Sequence, residues 1–286
     1  MIKSFCIKTN NKSILKYIIE NFKNDTPKNF YLSKNKFKIY SNVILHYTGE
    51  DVSTFYMYIS SVLQHIILEF YEEKFLNNFL NYEYFYFSDY EKNEILLIAK
   101  TILGENEKIY NSRKNTLYHL CHSYVKNNKS MVLDGFINFR IREYSIILNE
   151  LISDAVSEFT IKKEYEEFVE LLKAYVDASV SKLKLVHLIY FNDDSLLLDE
   201  YKNIINIEKK ISTAKYLSDI SFSSNDYCLN TLLNLTPKKI IIHLLNDNKN
   251  EFIDTICSIF GKRVIICLDC NICNLYKAND SFKSTT

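Results

Sequence analysis

Three cysteines near the end of the chain have the residue type and spacing of a metal or redox site. The segment CLDCNIC contains Cys267, Cys270 and Cys273 at intervals of three residues. Thiolates bind both zinc ions and iron–sulfur clusters, and the first three cysteines of a bacterial ferredoxin run have this spacing. The fourth cysteine of such a run, and the proline after it, are missing here. A metal site would therefore need a fourth ligand from another part of the chain.

Two residues are the main candidates for that fourth ligand. His243 lies in the apolar segment KKIIIHLL, a predicted strand. Cys257 lies in KNEFIDTICSIFG, a predicted helix that precedes the three cysteines. Cys228 is a further candidate. The candidate metal ligands are therefore the three terminal cysteines with His243 or Cys257.

The same cysteines have two interpretations that need no metal. Cys267 continues an apolar stretch, as an ordinary core residue does. Cys270 and Cys273 form a C-x2-C pair of the redox type, although the pair follows a predicted strand and does not open a clear helix. The sequence leaves a metal site, a redox site and a purely structural role open.

Composition excludes several other classes of function. The 35 basic and 35 acidic side chains give no net charge, and 47% of the residues are hydrophobic, as in globular proteins. With only four glycines, glycine-dependent nucleotide motifs are excluded, and neither a nucleophile elbow nor an HExxH motif occurs. The sequence offers no catalytic residues and favours a protein that is not an enzyme.

The lack of long apolar segments indicates the cellular compartment in which we expect the protein. No stretch approaches the roughly 18 apolar residues of a membrane span, and the first residues contain no signal-peptide core. The seven cysteines are an odd number, with three of them clustered. We therefore predict a cytoplasmic protein with reduced thiols and no membrane span.

Lysines are concentrated at the N-terminus. Residues 1–40 contain nine lysines and two acidic residues. A basic patch of this kind can bind nucleic acid, but no recognition motif accompanies the charge. Nucleic-acid binding through these lysines, among them Lys3, Lys8, Lys12 and Lys16, is therefore an alternative that the sequence does not favour.

The periodicity of apolar residues predicts a mixed α+β fold with a helix-rich N-terminal region. Residues 2–9 alternate as a strand does, and the next segment, NNKSILKYIIENFK, has the apolar stripe of a helix. Two short strands and several helices follow. We treat residues 1–130 as a variable N-terminal region.

A long helical pair and a small α/β layer are predicted for the rest of the chain. The pair covers residues 136–178, and its helices either separate or bend at Thr160 and Ile161. Strand and helix patterns alternate over residues 183–270, which predicts an α/β layer with parallel neighbouring strands, because the crossover is helical. We expect residues 277–286 to form a disordered tail.

Several motifs of the second half, in their order along the chain, resemble the YtxC family of sporulation proteins. The matching segments include LDGFINFRIREYSIILNE, LVHLIYF, LLNLTPKKIIIHLL and ICSIFGKRVIICLDCNIC. They fall within residues 131–276, which we take as the YtxC-like region. Recurring positions of that family correspond here to Gly135, Phe136, Phe139, Arg140, Tyr144, Glu164, Tyr165, Phe168, His187, Pro237, His243, Phe260 and the terminal cysteines.

The resemblance implies little about biochemistry. It implies a cytoplasmic protein of an endospore-forming bacterium, from a family without an assigned activity, and it supplies no catalytic residues. We therefore expect a sporulation-associated protein that acts by binding a protein partner. The alternative is a metalloprotein whose cysteines hold zinc or an iron–sulfur cluster, in a structural or a redox role.

Overall fold

Two compact units make up the chain, Met1–Ile161 and Lys162–Thr286. The structure is a computed structural model, and it describes residues 2–24, 28–36, 40–192, 194–205, 223–245, 250–267 and 269–280. These two units are defined by the contacts within each of them. The predicted boundary at residue 130 marks instead where the YtxC-like region begins, and it stays a prediction.

The first unit combines a four-stranded sheet with helices. Its strands are β1 (Lys3–Thr9), β2 (Phe30–Lys36), β3 (Ser41–Tyr47) and β4 (Ser130–Val132). Its helices are α1 (Lys12–Asn24), α2 (Val52–Phe70), α3 (Glu72–Glu83), α4 (Asp89–Glu105), α5 (Glu107–Asn127) and α6 (Leu133–Arg140). The strand order is β2-β3-β1-β4, in which β1 pairs antiparallel with β3 and parallel with β4.

Local sequence signals explain where several of these elements begin and what they bury. The Asp51 carboxylate accepts hydrogen bonds from two backbone N–H groups in the first turn of α2, and so caps that helix. Ser88 and Glu91 form a capping box at the start of α4. Apolar side chains at alternate strand positions, such as Phe5 and Leu45, point into the core of this unit.

The helical stretch of residues 136–178 is divided earlier than the sequence indicated. The break lies at Ile141, between α6 and α7 (Arg142–Ala178). Helix α7 runs unbroken through Thr160 and Ile161. Two lysine–glutamate pairs at i, i+4 spacing follow directly and favour continuation of the helix.

The second unit contains a four-stranded sheet and shorter helices. Its strands are β5 (Leu185–Phe191), β6 (Asp194–Leu198), β7 (Lys239–Leu244) and β8 (Val264–Cys267). Its helices, besides the end of α7, are α8 (Ser224–Leu235), α9 (Glu251–Phe260) and α10 (Asn271–Asp280). The strand order is β6-β5-β7-β8, with β5, β7 and β8 parallel and β6 antiparallel to β5. The predicted α+β class is confirmed.

The two faces of this second sheet are covered differently. Alternate side chains, such as Leu188, point into a core that contains residues of α7, α8 and α9. The opposite face carries His187, Ile189 and His243. On this face Ile189 packs in a small cluster with Ile272 of α10. Helix α10 therefore covers the face that carries the two histidines.

The segment after β8 differs from the prediction. The expectation that the Cys270–Cys273 pair does not open a clear helix is wrong, because α10 begins at Asn271. Its buried residues pack on the sheet, and such tertiary contacts stabilise a short helix that has weak local signals. Helix α10 includes residues 277–280 of the expected tail, and residues 281–286 lie outside the described residues.

The length and hydrophobicity of the helices test the prediction that the chain has no membrane span. Among the described residues, no helix is both long enough and apolar enough to cross a membrane. Helix α7 has 37 residues, but lysine and glutamate residues recur along it.

Gly261, which joins α9 to the turn before β8, provides a test of the fold beside the cysteines. Its backbone has φ 51° and ψ −120°, a conformation that residues with a Cβ atom rarely adopt. We expect Gly261→Ala to lower the free energy of unfolding by about 1–3 kcal/mol. The matched control is Lys262→Ala, an exposed neighbour without positive φ, which should leave stability nearly unchanged. Urea denaturation followed by circular dichroism measures both, and wild-type stability in Gly261→Ala would contradict this backbone geometry.

Candidate metal centre

Strand pairing brings the first two site residues together. His243 lies on β7 and Cys267 ends β8, and the parallel register makes them direct partners. Paired residues of neighbouring strands present their side chains on the same face of a sheet. His243 and Cys267 therefore lie side by side on the face that α10 covers.

Helix α10 supplies the other two cysteines. Cys270 directly precedes its first residue, and Cys273 lies in its first turn. The backbone N–H of Cys273 donates a hydrogen bond to Cys270 Sγ over 3.5 Å. Cys273 is fully buried in the cluster that holds Ile272 and Ile189. The packing of α10 on the sheet thus places both thiols above His243 and Cys267.

The side chains of these four residues converge. One ligand atom of each lies within 4.8 Å of the others. His243 Nδ1 is 3.3 Å from Cys273 Sγ and 3.4 Å from Cys270 Sγ. Cys273 Sγ is 3.6 Å from Cys270 Sγ and 3.9 Å from Cys267 Sγ. Within the described residues, no other group of three or more such side chains could hold a metal ion.

His187 on β5 contacts the other side of the His243 ring. Its Nδ1 atom is 2.9 Å from His243 Nε2, and the two buried rings are stacked at 26°. This hydrogen bond occupies the nitrogen of His243 that does not contact the thiols. With the shared proton on His243 Nε2, its Nδ1 atom presents a lone pair to the cysteines. His187 is therefore a positioning residue for His243.

Burial and hydrogen bonding shift the pKa values of these groups in different directions. Burial lowers the pKa of His243 to about 4, with a contribution from His187. Burial raises the pKa of Cys273 to about 12, and the neighbouring thiols add to this shift. Burial also opposes ionisation of Cys270, but hydrogen bonds from the Cys273 backbone and the neighbouring thiols lower its pKa overall. A bound cation favours the thiolate form of every cysteine that binds it.

The structure brings together four of the five residues that the sequence predicted for the metal site. Cys257 does not join them: it lies half-buried on α9, against the core on the opposite face of the sheet. Cys228 is fully buried in that same core. The sequence placed His187 among the recurring family positions but did not assign it to the metal site. A further signal is that His187 and His243 each lie within an apolar strand segment.

The four N-terminal lysines named above lie on two elements. Lys3 and Lys8 lie on β1 and alternate to opposite faces of the first sheet. Lys12 and Lys16 lie on α1, where Lys16 forms an exposed ion pair with Glu20. Lys3 and Lys8 therefore do not share one face of the sheet.

Fold and site together define an α+β protein whose second unit groups three cysteines and one histidine. The sequence profile of the YtxC-like family matches residues 57–265, more than half of the chain, and the chain belongs to that family. This confirms the resemblance and extends it well upstream of residue 131. The matched region includes His187 and His243 and ends two residues before Cys267.

Comparison with individual proteins adds one relative. The chain is 23% identical over 214 residues to an uncharacterized protein, YtxC, of Bacillus subtilis (strain 168). The similarity covers 72% of this chain and 75% of that relative. No solved structure matches the chain significantly. Because the relative's description states no activity, the functional argument comes from the site itself.

Metal binding through Nδ1 predicts one tautomer of His243, because the ring proton must then lie on Nε2, where His187 Nδ1 can accept it. In metal-loaded protein labelled with 15N-histidine, we expect long-range 1H–15N correlation spectra to show the proton on Nε2 of His243. His187→Gln keeps a carbonyl acceptor and should keep this tautomer. His187→Leu leaves a buried N–H without its acceptor and should cost about 1–3 kcal/mol of unfolding free energy. A proton on Nδ1 of His243 in the metal-loaded wild-type protein would contradict metal binding through that atom, because the contact with His187 allows either ring to donate.

Proposed function

We propose that the protein binds one zinc ion through His243, Cys267, Cys270 and Cys273, and that the ion stabilises the second unit. The observation that carries this proposal is the convergence of the four ligand atoms within 4.8 Å. Three cysteines and one histidine are a frequent ligand set of structural zinc sites, and thiolates select soft or borderline ions.

The separations between the ligand atoms suit a tetrahedral zinc ion. With Zn–S bonds of about 2.3 Å and a Zn–N bond of about 2.0 Å, tetrahedral geometry separates two sulfurs by about 3.8 Å and sulfur from nitrogen by about 3.5 Å. Two sulfur pairs here are 3.6 and 3.9 Å apart, and two sulfur–nitrogen pairs are 3.3 and 3.4 Å apart. All four ligand atoms lie within 4.8 Å of one another. An iron–sulfur cluster distributes its ligands over different iron atoms, so the geometry favours one ion over a cluster.

A structural role fits this ligand set better than a catalytic one. Four protein ligands complete the tetrahedral coordination of zinc, whereas catalytic zinc sites keep a position for water or substrate. The ligands come from β7, β8 and the start of α10, so that the ion would link the helix to the sheet. His187 adds support, because metal-binding histidines usually donate their second ring N–H to a neighbouring acceptor.

The role of the protein in the cell is a second part of this proposal. We propose a sporulation-associated, cytoplasmic protein that binds a protein partner, as the resemblance to the YtxC family implies. The observation that favours a partner is a row of exposed apolar side chains on α7, formed by Phe168, Leu171 and Tyr175. A strain that lacks the protein should form fewer heat-resistant spores, and unchanged spore counts would contradict the sporulation role.

The zinc proposal predicts the metal content of the purified chain. Protein prepared without oxygen should contain about one zinc ion per chain, measured by atomic spectroscopy. Cys270→Ser and Cys273→Ser should each reduce bound zinc to background, because each removes one of the four ligands. At a free zinc concentration about 100 times the dissociation constant, zinc should add about 2.7 kcal/mol to the stability of the wild-type protein.

Cys257→Ser is the matched control for these variants. It also removes a thiol of the second unit, but one that lies on the opposite face of the sheet. We expect Cys257→Ser to bind as much zinc as the wild type. Absence of zinc from the wild-type protein, even after zinc is supplied to the reduced metal-free chain, would refute the proposal.

A further inference from the structure

The two cysteines at the start of α10 have the geometry of a reactive dithiol. Their sulfur atoms are 3.6 Å apart, and both belong to one C-x2-C motif at a helix N-terminus. Cys270 is half-buried, whereas Cys273 lies fully buried beneath it. This places one thiol where a reagent can reach it and holds the other within reach of the first.

We infer that Cys270 and Cys273 undergo thiol–disulfide exchange with small or protein disulfides, and that their disulfide and the bound zinc ion are mutually exclusive. The inference rests on the proposed zinc site and deepens it. It assigns to the site a reaction, thiol–disulfide exchange, and a class of substrate, molecules that contain a disulfide bond.

The proposed thiol–disulfide exchange takes two steps. The Cys270 thiolate attacks one sulfur of a disulfide R–S–S–R, which forms a Cys270–S–S–R bond and releases one thiolate, RS⁻. The Cys273 thiolate then attacks Cys270 Sγ, which forms the Cys270–Cys273 disulfide and releases the second RS⁻. The two cysteines lose two electrons, and the external disulfide gains them. A zinc ion at this site would keep only His243 and Cys267 as ligands and would leave as Zn²⁺.

The third cysteine is less suited to this reaction. A disulfide requires the sulfurs to approach to about 2.05 Å, so the pair that starts closer needs the smaller movement. Cys267 Sγ is 3.9 Å from Cys273 Sγ, and Cys267 is held in β8 by its pairing with His243. Cys270 precedes the first turn of α10 and is not held by strand pairing. We therefore expect Cys270 to react first and Cys273 to complete the disulfide.

Glutathione disulfide is the probe for the test. The full chain is loaded with zinc, its zinc content is measured, and excess glutathione disulfide is added without oxygen. We expect one Cys270–Cys273 disulfide and two glutathione molecules for each zinc ion released. Peptide mapping identifies the disulfide, and a chromogenic chelator measures the zinc. Retention of zinc with all thiols still reduced, or a disulfide that contains Cys267, would overturn the inference.

The metal-free chain separates this inference from the zinc proposal. A chain that binds no zinc but forms the Cys270–Cys273 disulfide would refute the zinc site and leave the dithiol supported. A chain that binds zinc but forms no such disulfide, with or without the metal, would refute the dithiol only.

Single variants of the metal-free chain test the order of attack. Cys273→Ser should accumulate glutathione on Cys270, because the second step cannot occur. Cys270→Ser should leave the buried Cys273 unmodified. Cys257→Ser should form the Cys270–Cys273 disulfide as the wild type does. Glutathione on Cys273 in the Cys270→Ser variant would contradict the proposed order.

Discussion

The parallel register of β7 and β8 is the constraint on which the candidate site depends. Side chains alternate between the faces of a sheet, so a shift of β8 by one residue would move Cys267 to the opposite face, away from His243. The register is held by the core on that opposite face, where Ile240 and Ile242 are fully buried and Val264 packs against them. An apolar core on one face of the sheet therefore positions His243 and Cys267 on the other face.

Helix α10 completes the candidate site, and a metal ion bound there would stabilise the helix in return. An isolated helix of ten residues is marginal in water, and the apolar cluster beneath α10 contains only a few buried side chains, among them Ile272 and Cys273. A metal bond between sheet and helix would supply the stabilisation that so small a cluster lacks. For the same reason, loss of two thiolate ligands to a disulfide would weaken the attachment of α10 to the sheet. Zinc binding and dithiol exchange, as proposed, would thus act on the same contact between α10 and the sheet.

The parts that could be predicted from the sequence are those with local signals. Apolar segments and helical crossovers predicted the strands and helices of the second unit, and residue type with spacing pointed to His243 and the terminal cysteines. Exclusion of Cys257 could not be predicted, because it depends on which face of the sheet α9 packs against. The role of His187 depends on strand order and register, and α10 depends on tertiary contacts of Ile272. The helix break at Ile141 likewise lacked a proline or glycine signal.

Binding of one zinc ion by three sulfurs and one nitrogen is tested most directly by X-ray absorption at the zinc edge, which measures these ligands in the zinc-loaded protein. We expect three Zn–S contacts at about 2.3 Å and one Zn–N contact at about 2.0 Å, with no second metal nearby. A ligand shell of oxygen and nitrogen alone, or scattering from a neighbouring metal atom, would contradict this coordination.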